Sequence, residues 1–100
     1  MKLDIIKKEE ETIVVINGRV DTSAAPELEK VAEQLIADDV TTLVFDCSEM
    51  EYISSSGLRI FLGTHKKLAP KGGQFILEHL NKNVESVLQL TGFSNILNIR

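Results

Sequence analysis

With one cysteine, Cys47, the chain has no internal disulfide to form, and no second cysteine or Cys/His cluster supplies metal-ligand spacing. Such a chain suits a reducing compartment, and we expect a cytoplasmic location. Long apolar runs are also missing. The N-terminal MKLDIIKKEEE turns charged after six residues, too short for the apolar region of a signal peptide. No stretch approaches the roughly 18 apolar residues of a spanning helix, so no direct membrane insertion is expected. Positive charge is in deficit: 11 Lys and Arg against 15 Asp and Glu leave a net charge of -4 at pH 7. That argues against a general affinity for nucleic acid, whose phosphates need a dense basic surface. Catalytic signatures are absent as well. The two histidines, His65 and His79, accompany no G-x-S-x-G elbow, no S-x-x-K pair at the serine cluster and no phosphate-binding or dinucleotide glycine loop. We therefore expect no enzyme, no cofactor and no metal.

What is present is an ordinary globular composition, 43% hydrophobic, without repeat, linker or low-complexity segment, and we read residues 1–100 as one domain. Strands are expected near 2–7 and 12–20, joined by the acidic turn Lys8 to Glu11. Leu28, Val31, Ala32, Leu35 and Ile36 fall on one helical face, with Pro26 suited to the first turn. Thr41 to Phe45 barely alternates and reads as a third strand, buried on both faces and ending at Asp46-Cys47-Ser48, before a loop through Tyr52 and Ile53. Leu58, Phe61, Leu62, His65 and Leu68 then recur at helical spacing, stopped by Pro70 and Gly72-Gly73. Gln74 to Leu77 gives another strand, Val84, Val87, Leu88 and Thr91 a third helix, and Ile96 to Ile99 a short strand or extended tail. The order ββαβαβα plus tail predicts an α/β fold, a mixed sheet of four or five strands covered by helices near 25–37, 55–69 and 83–91.

The segment Asp46 to Leu62, DCSEMEYISSSGLRIFL, is the most informative. The first N–H groups of a helix lack intrahelical partners and carry partial positive charge, so Ser54, Ser55 or Ser56 can cap them. The same place would receive a phosphate, stabilised by the helix dipole by about 0.3–1 kcal/mol at an exposed site. Spacing alone does not separate a plain cap from a phosphosite. Asp46, at a strand end, is read as an acceptor for N–H groups of the following loop. Asp21, followed by Thr22 and Ser23 before a helix, is either a turn-organising residue or part of a partner surface. Ile60, off the core stripe and near Gly63, is either an exposed contact or a cover for the sheet edge.

VFDCS followed by SSGL resembles the signature of the STAS family. Arg19-Val20-Asp21 with Ala25-Pro26-Glu27-Leu28, and Leu90-Thr91-Gly92-Phe93, extend the likeness over nearly the whole chain. The resemblance implies an anti-sigma factor antagonist, phosphorylated on the serine that here is Ser55, with Ser54 and Ser56 as competing acceptors. Its partners would be an anti-sigma factor with serine kinase activity, bound by the unphosphorylated form so that a sigma factor is released, and a PP2C-type phosphatase that restores it. Many members carry an aspartate where this chain has Ser54, so a negative charge is replaced by a further hydroxyl. The expected partner surface comprises Asp21, Thr22, Ser23, Ser54, Ser56, Gly57, Arg59, Ile60 and Gly63. Small STAS proteins also serve as subunits of bacterial lipid-transport ABC systems and in stress-sensing complexes, and these are the alternative.

Overall fold

The computed structural model describes residues 1–100. The expected hairpin is formed by β1 (Lys2–Lys7) and β2 (Thr12–Val20), followed by α1 (Ala25–Ala37), β3 (Thr42–Ile53), α2 (Ser55–Leu68), β4 (Gln74–Glu78), α3 (Lys82–Thr91) and β5 (Asn98–Ile99). The sheet follows chain order, β1-β2-β3-β4-β5, antiparallel between β1 and β2 and parallel thereafter. Each βαβ crossover therefore steps to the next strand in the same direction. Right-handed connections of that kind put all three helices on one face of the sheet. The buried residues agree. Val14, Phe45 and Leu77 are register partners, all fully buried, and belong to the 20-residue core cluster with Leu28, Phe61, Val84 and Leu88 of the helices. Their neighbours of opposite parity, Ile13 and Val44, are also buried yet lie outside that cluster.

Val44 thus escapes water on the side that carries no helix. Its face holds Ile13 and Ile76 in register with it, and Arg100, just beyond β5, ties the β1–β2 turn to the end of β4. The Arg100 guanidinium meets Glu11 at 3.1 Å and Glu78 at 3.0 Å. The near-continuous apolar run of β3 is explained by burial on both faces, but helices cover only one of them.

The third strand is longer than its sequence pattern suggests. It does not stop at Asp46-Cys47-Ser48 but continues through Tyr52 to Ile53, so no loop intervenes there. Pairing with β2 shifts register between Val15 and Asn17 and again between Gly18 and Arg19, and β3 carries one extra residue at each shift. Such bulges rotate successive side chains. Cys47, Met50 and Ile53 become the buried residues of this half, every third position rather than every second, and the alternation that announces a strand is lost. Burial also pushes the Cys47 thiol up to about 12, leaving it protonated and unreactive at neutral pH.

In α2 the core face runs through Gly57, Leu58, Phe61, Thr64 and Leu68. Leu62 and His65, expected on that stripe, are only half-buried. Thr64 can enter the core because its hydroxyl donates to the Ile60 carbonyl at 2.7 Å. The third helix starts at Lys82 because Asn81 caps it, Oδ1 accepting from the Val84 N–H at 2.9 Å while Nδ2 donates to the Met50 carbonyl at 2.6 Å. That side chain fastens α3 to the far half of β3. No helix is long and apolar enough to cross a membrane.

Candidate functional site

The three serines have different environments. Ser54 is the N-cap of α2: its extended backbone (φ -85°, ψ 171°) turns the chain, and its Oγ accepts from the Gly57 N–H at 3.2 Å. It is 7% exposed. Ser55, the first helical residue, is exposed, and Ser56 is half-buried. Spacing alone left these hydroxyls interchangeable, and only the family resemblance singled out Ser55; the cap geometry assigns Ser54 to the interior and Ser55 to the surface. Replacing Ser54 with alanine should lower stability by about 1–2 kcal/mol, since it leaves a buried N–H unpaired. Ser55→Ala should stay within about 0.5 kcal/mol of the parent. Urea unfolding of both variants checks the assignment, and equal losses would refute it.

A backbone bond joins this loop to the one carrying Asp21. The Ser54 N–H donates to the Val20 carbonyl at 2.8 Å, so the end of β2 and the start of α2 are fastened at the carboxyl ends of the two central strands. Asp21 follows directly. Its Oδ1 accepts from the Ser23 hydroxyl at 2.8 Å and from the Ala24 N–H at 2.9 Å, and these bonds hold its carboxyl below the usual carboxylate range, the Ser23 hydroxyl contributing most. Asp21 therefore organises the turn into α1 while remaining half-exposed beside the serine loop. Both meanings open at the sequence level are compatible in one residue.

Thr22, Ser56, Arg59 and Ile60 line an open hollow between the start of α1 and the first turns of α2, with Ala25, Pro26 and Glu29 completing it. Ile60 also lines the narrower cleft between the two helices with Ala32, Ile36 and Gly63. It is half-buried and packed on the core, so it is less open than a fully exposed contact while still lining both hollows. Gly63 faces open space, with no atom within 4 Å of where a Cβ would stand.

Two members of the expected partner surface are internal. Ser54 is occupied by its cap, and Gly57 is buried because a Cβ there would lie 2.8 Å from Ile53 Cγ1 and 2.9 Å from Val20 Cγ1. Glycine is required by the closeness of α2 to the strand ends, so its place in the SSGL pattern is a packing demand. Thr22, Ser23, Ser55 and Arg59 are exposed, and Asp21, Ser56, Ile60 and Gly63 are half-buried.

Two further groupings escaped the sequence. Arg19 places its guanidinium 4.3 Å from the ring centre of Tyr52, its register partner on β3. Tyr52 is 42% exposed and borders a small apolar hollow with Ile53, Val84 and Val87, directly before the serine loop. A third strand ended at Ser48 hides this pair. On the helix-free face, Asp46 Oδ1 accepts from the Ser48 N–H at 3.0 Å, as expected of a strand-end aspartate, and also contacts His79 Nδ1 at 3.1 Å. Burial pushes the Asp46 carboxyl up, but the bonds from Ser48 and His79 outweigh it and hold the group below its ordinary value. His79 takes a left-handed backbone (φ 59°) to reach it. Glu78 lies within 4.8 Å of both and is paired with Arg100.

The anti-sigma-B factor antagonist of Bacillus subtilis is 29% identical over 99 residues, spanning 99% of this chain and 90% of the relative. The crystal structure of an anti-sigma factor antagonist from Mycobacterium paratuberculosis superimposes with a TM-score of 0.89 at 26% identity, covering 98% of this chain and 83% of that one. SpoIIAA of Bacillus, in its phosphorylated form, shares the fold with a TM-score of 0.78 at 20% identity, covering 99% of this chain and 91% of that one. The model of the STAS domain family matches residues 2–100, a span that takes in both fastened loops, the capped start of α2 and the whole sheet, and this chain belongs to that family.

Proposed function

We propose that this protein is an anti-sigma factor antagonist whose unphosphorylated form binds an anti-sigma factor with serine kinase activity, so that a sigma factor is released. Phosphorylation at Ser55 ends the binding and a PP2C-type phosphatase restores it; the cycle runs in the cytoplasm. The observation that carries this reading is the division of labour among the serines. The helix cap is supplied by Ser54, so Ser55 is free at the surface, its hydroxyl on the first residue of a helix whose N–H groups and dipole stabilise a phosphate. Its neighbours support a docking face: the fastened Asp21 loop, the hollow lined by Thr22, Ser56 and Arg59, and Ile60 at the junction with the α1–α2 cleft. Relatives named anti-sigma-B factor antagonists, and a structural neighbour solved both with and without its phosphate, support the same reading.

The test is incubation with the cognate kinase and ATP, followed by tandem mass spectrometry. One phosphate is expected, on Ser55. Ser55→Ala should abolish it, whereas a variant phosphorylated as fully as the parent would transfer the assignment to Ser56, the other hydroxyl of the serine run with access to solvent.

A further inference from the structure

We infer that Arg59 is an intramolecular clamp for a phosphate on Ser55, so that phosphorylation both adds negative charge and withdraws a cation from the docking face. The inference rests on Ser55 as the modified residue and concerns how the modification acts. Ser55 and Arg59 stand four residues apart on α2, the separation that brings side chains together on a helix surface, with roughly 5–6 Å between their Cβ atoms. The acidic partner would be the N-terminal one, the favourable order for such a pair. Both residues are exposed. A guanidinium offers a planar fork of N–H donors that matches two phosphate oxygens, and that geometry distinguishes Arg59 from a lysine at the same position.

Nothing else in the molecule claims Arg59. The ion pairs join Lys67 to Glu33, His79 to Asp46, and Arg100 to Glu11 and Glu78. Between Ser55 and Thr64 the sequence SSGLRIFLGT holds no other charged residue, so no acid on the same turns competes. Glu29 of α1 lines the same hollow and faces Arg59 from the neighbouring helix, but it carries one charge, where a phosphoserine carries about -1.5 to -2. Asp21 is already engaged by Ser23 and Ala24. Without phosphate, a partner meets a free guanidinium beside Ser56 and Ile60. With phosphate, the guanidinium turns back along its own helix, and the partner meets excess negative charge in its place.

The experiment uses the full chain with phosphoserine incorporated at position 55 during synthesis, which bypasses any kinase. Phosphorus NMR follows the second ionisation of the phosphate in the parent, in Arg59→Gln and in Arg59→Lys. The dianion should be favoured in the parent, its pKa lying roughly 0.2–0.4 units below that of Arg59→Gln, with the gap shrinking in high salt. Arg59→Lys, which keeps the charge, should retain part of the shift. Thermal unfolding of the unphosphorylated forms confirms that all three fold alike. Parent and Arg59→Gln titrating together would overturn the clamp. A kinase that modifies a different serine would instead overturn the choice of Ser55, a result obtained in a separate measurement.

Discussion

Truncating Phe45 to alanine should remove about 3–5 kcal/mol of folding free energy. Phe45 is fully buried at the centre of the parallel strands. Its ring stands edge-on to Phe75 at 4.7 Å and to Phe61 at 5.5 Å, and Phe61 and Phe75 meet at 6.1 Å. Three rings from β3, α2 and β4 form one edge-to-face cluster, an arrangement worth about 0.5–1.5 kcal/mol per pair beyond burial. Removing the central ring costs both contacts and leaves a cavity between the sheet and α2. At about 4–8 °C per kcal/mol for a domain of this size, the melting temperature should fall by well over 10 °C. Denaturant unfolding checks the value. Phe45→Leu, which refills much of the space, should lose distinctly less, and an alanine variant within 1 kcal/mol of the parent would mean that the cluster does not hold the βαβ unit together.

The second large effect concerns binding. A phosphate on Ser55 should weaken affinity for the anti-sigma factor by about 2–3 kcal/mol, or roughly 30- to 150-fold. The added charge must be desolvated against a docked surface, and like charges on the partner repel it. Ser55→Ala should bind as the unmodified parent does, because the cap on α2 comes from Ser54 and survives the change. Ser55→Asp should fall between them, having half the charge on a shorter arm. Titration calorimetry on the four forms gives the affinities, with thermal unfolding as control for the fold. Equal affinities would reduce Ser55 to an exposed helix residue with no regulatory use.

The parts of the fold that were legible in advance are those where a single period governs burial. Leu28, Ala32, Leu35 and Ile36 sit on one face of α1 and are buried as their spacing requires, and the boundaries of β1 and β2 follow from alternation and the Lys8–Glu11 turn. Legibility fails where geometry interrupts the period. The second half of β3 was hidden by two bulges that bury Cys47, Met50 and Ile53, and with it went the Arg19–Tyr52 stack, which depends on register across those bulges. Thr64 was hidden for a chemical reason: a threonine is counted as polar, but its hydroxyl is satisfied within the helix. At the site, the serine run, Asp21 and the helix start were all visible in sequence. The roles of the three hydroxyls were not, since the choice between cap and surface turns on backbone angles at Ser54 that neighbouring serines do not reveal. Gly57 is the complementary case, its identity readable but its reason, contact with Ile53 and Val20, visible only in three dimensions.

The bond from the Ser54 N–H to the Val20 carbonyl has a kinetic meaning. It holds the serine loop to the frame of the sheet, so a phosphate on Ser55, as proposed above, would be added to a backbone already fastened at the neighbouring residue. On that proposal the two settings would differ in a covalent group and in the side chains that answer it, without a rearranged backbone. The time needed to change state would then be the turnover time of the proposed kinase and phosphatase, with no refolding or loop closure to wait for. Its memory would be equally simple: the protein would stay in whichever setting it was last given until the opposing enzyme reached it.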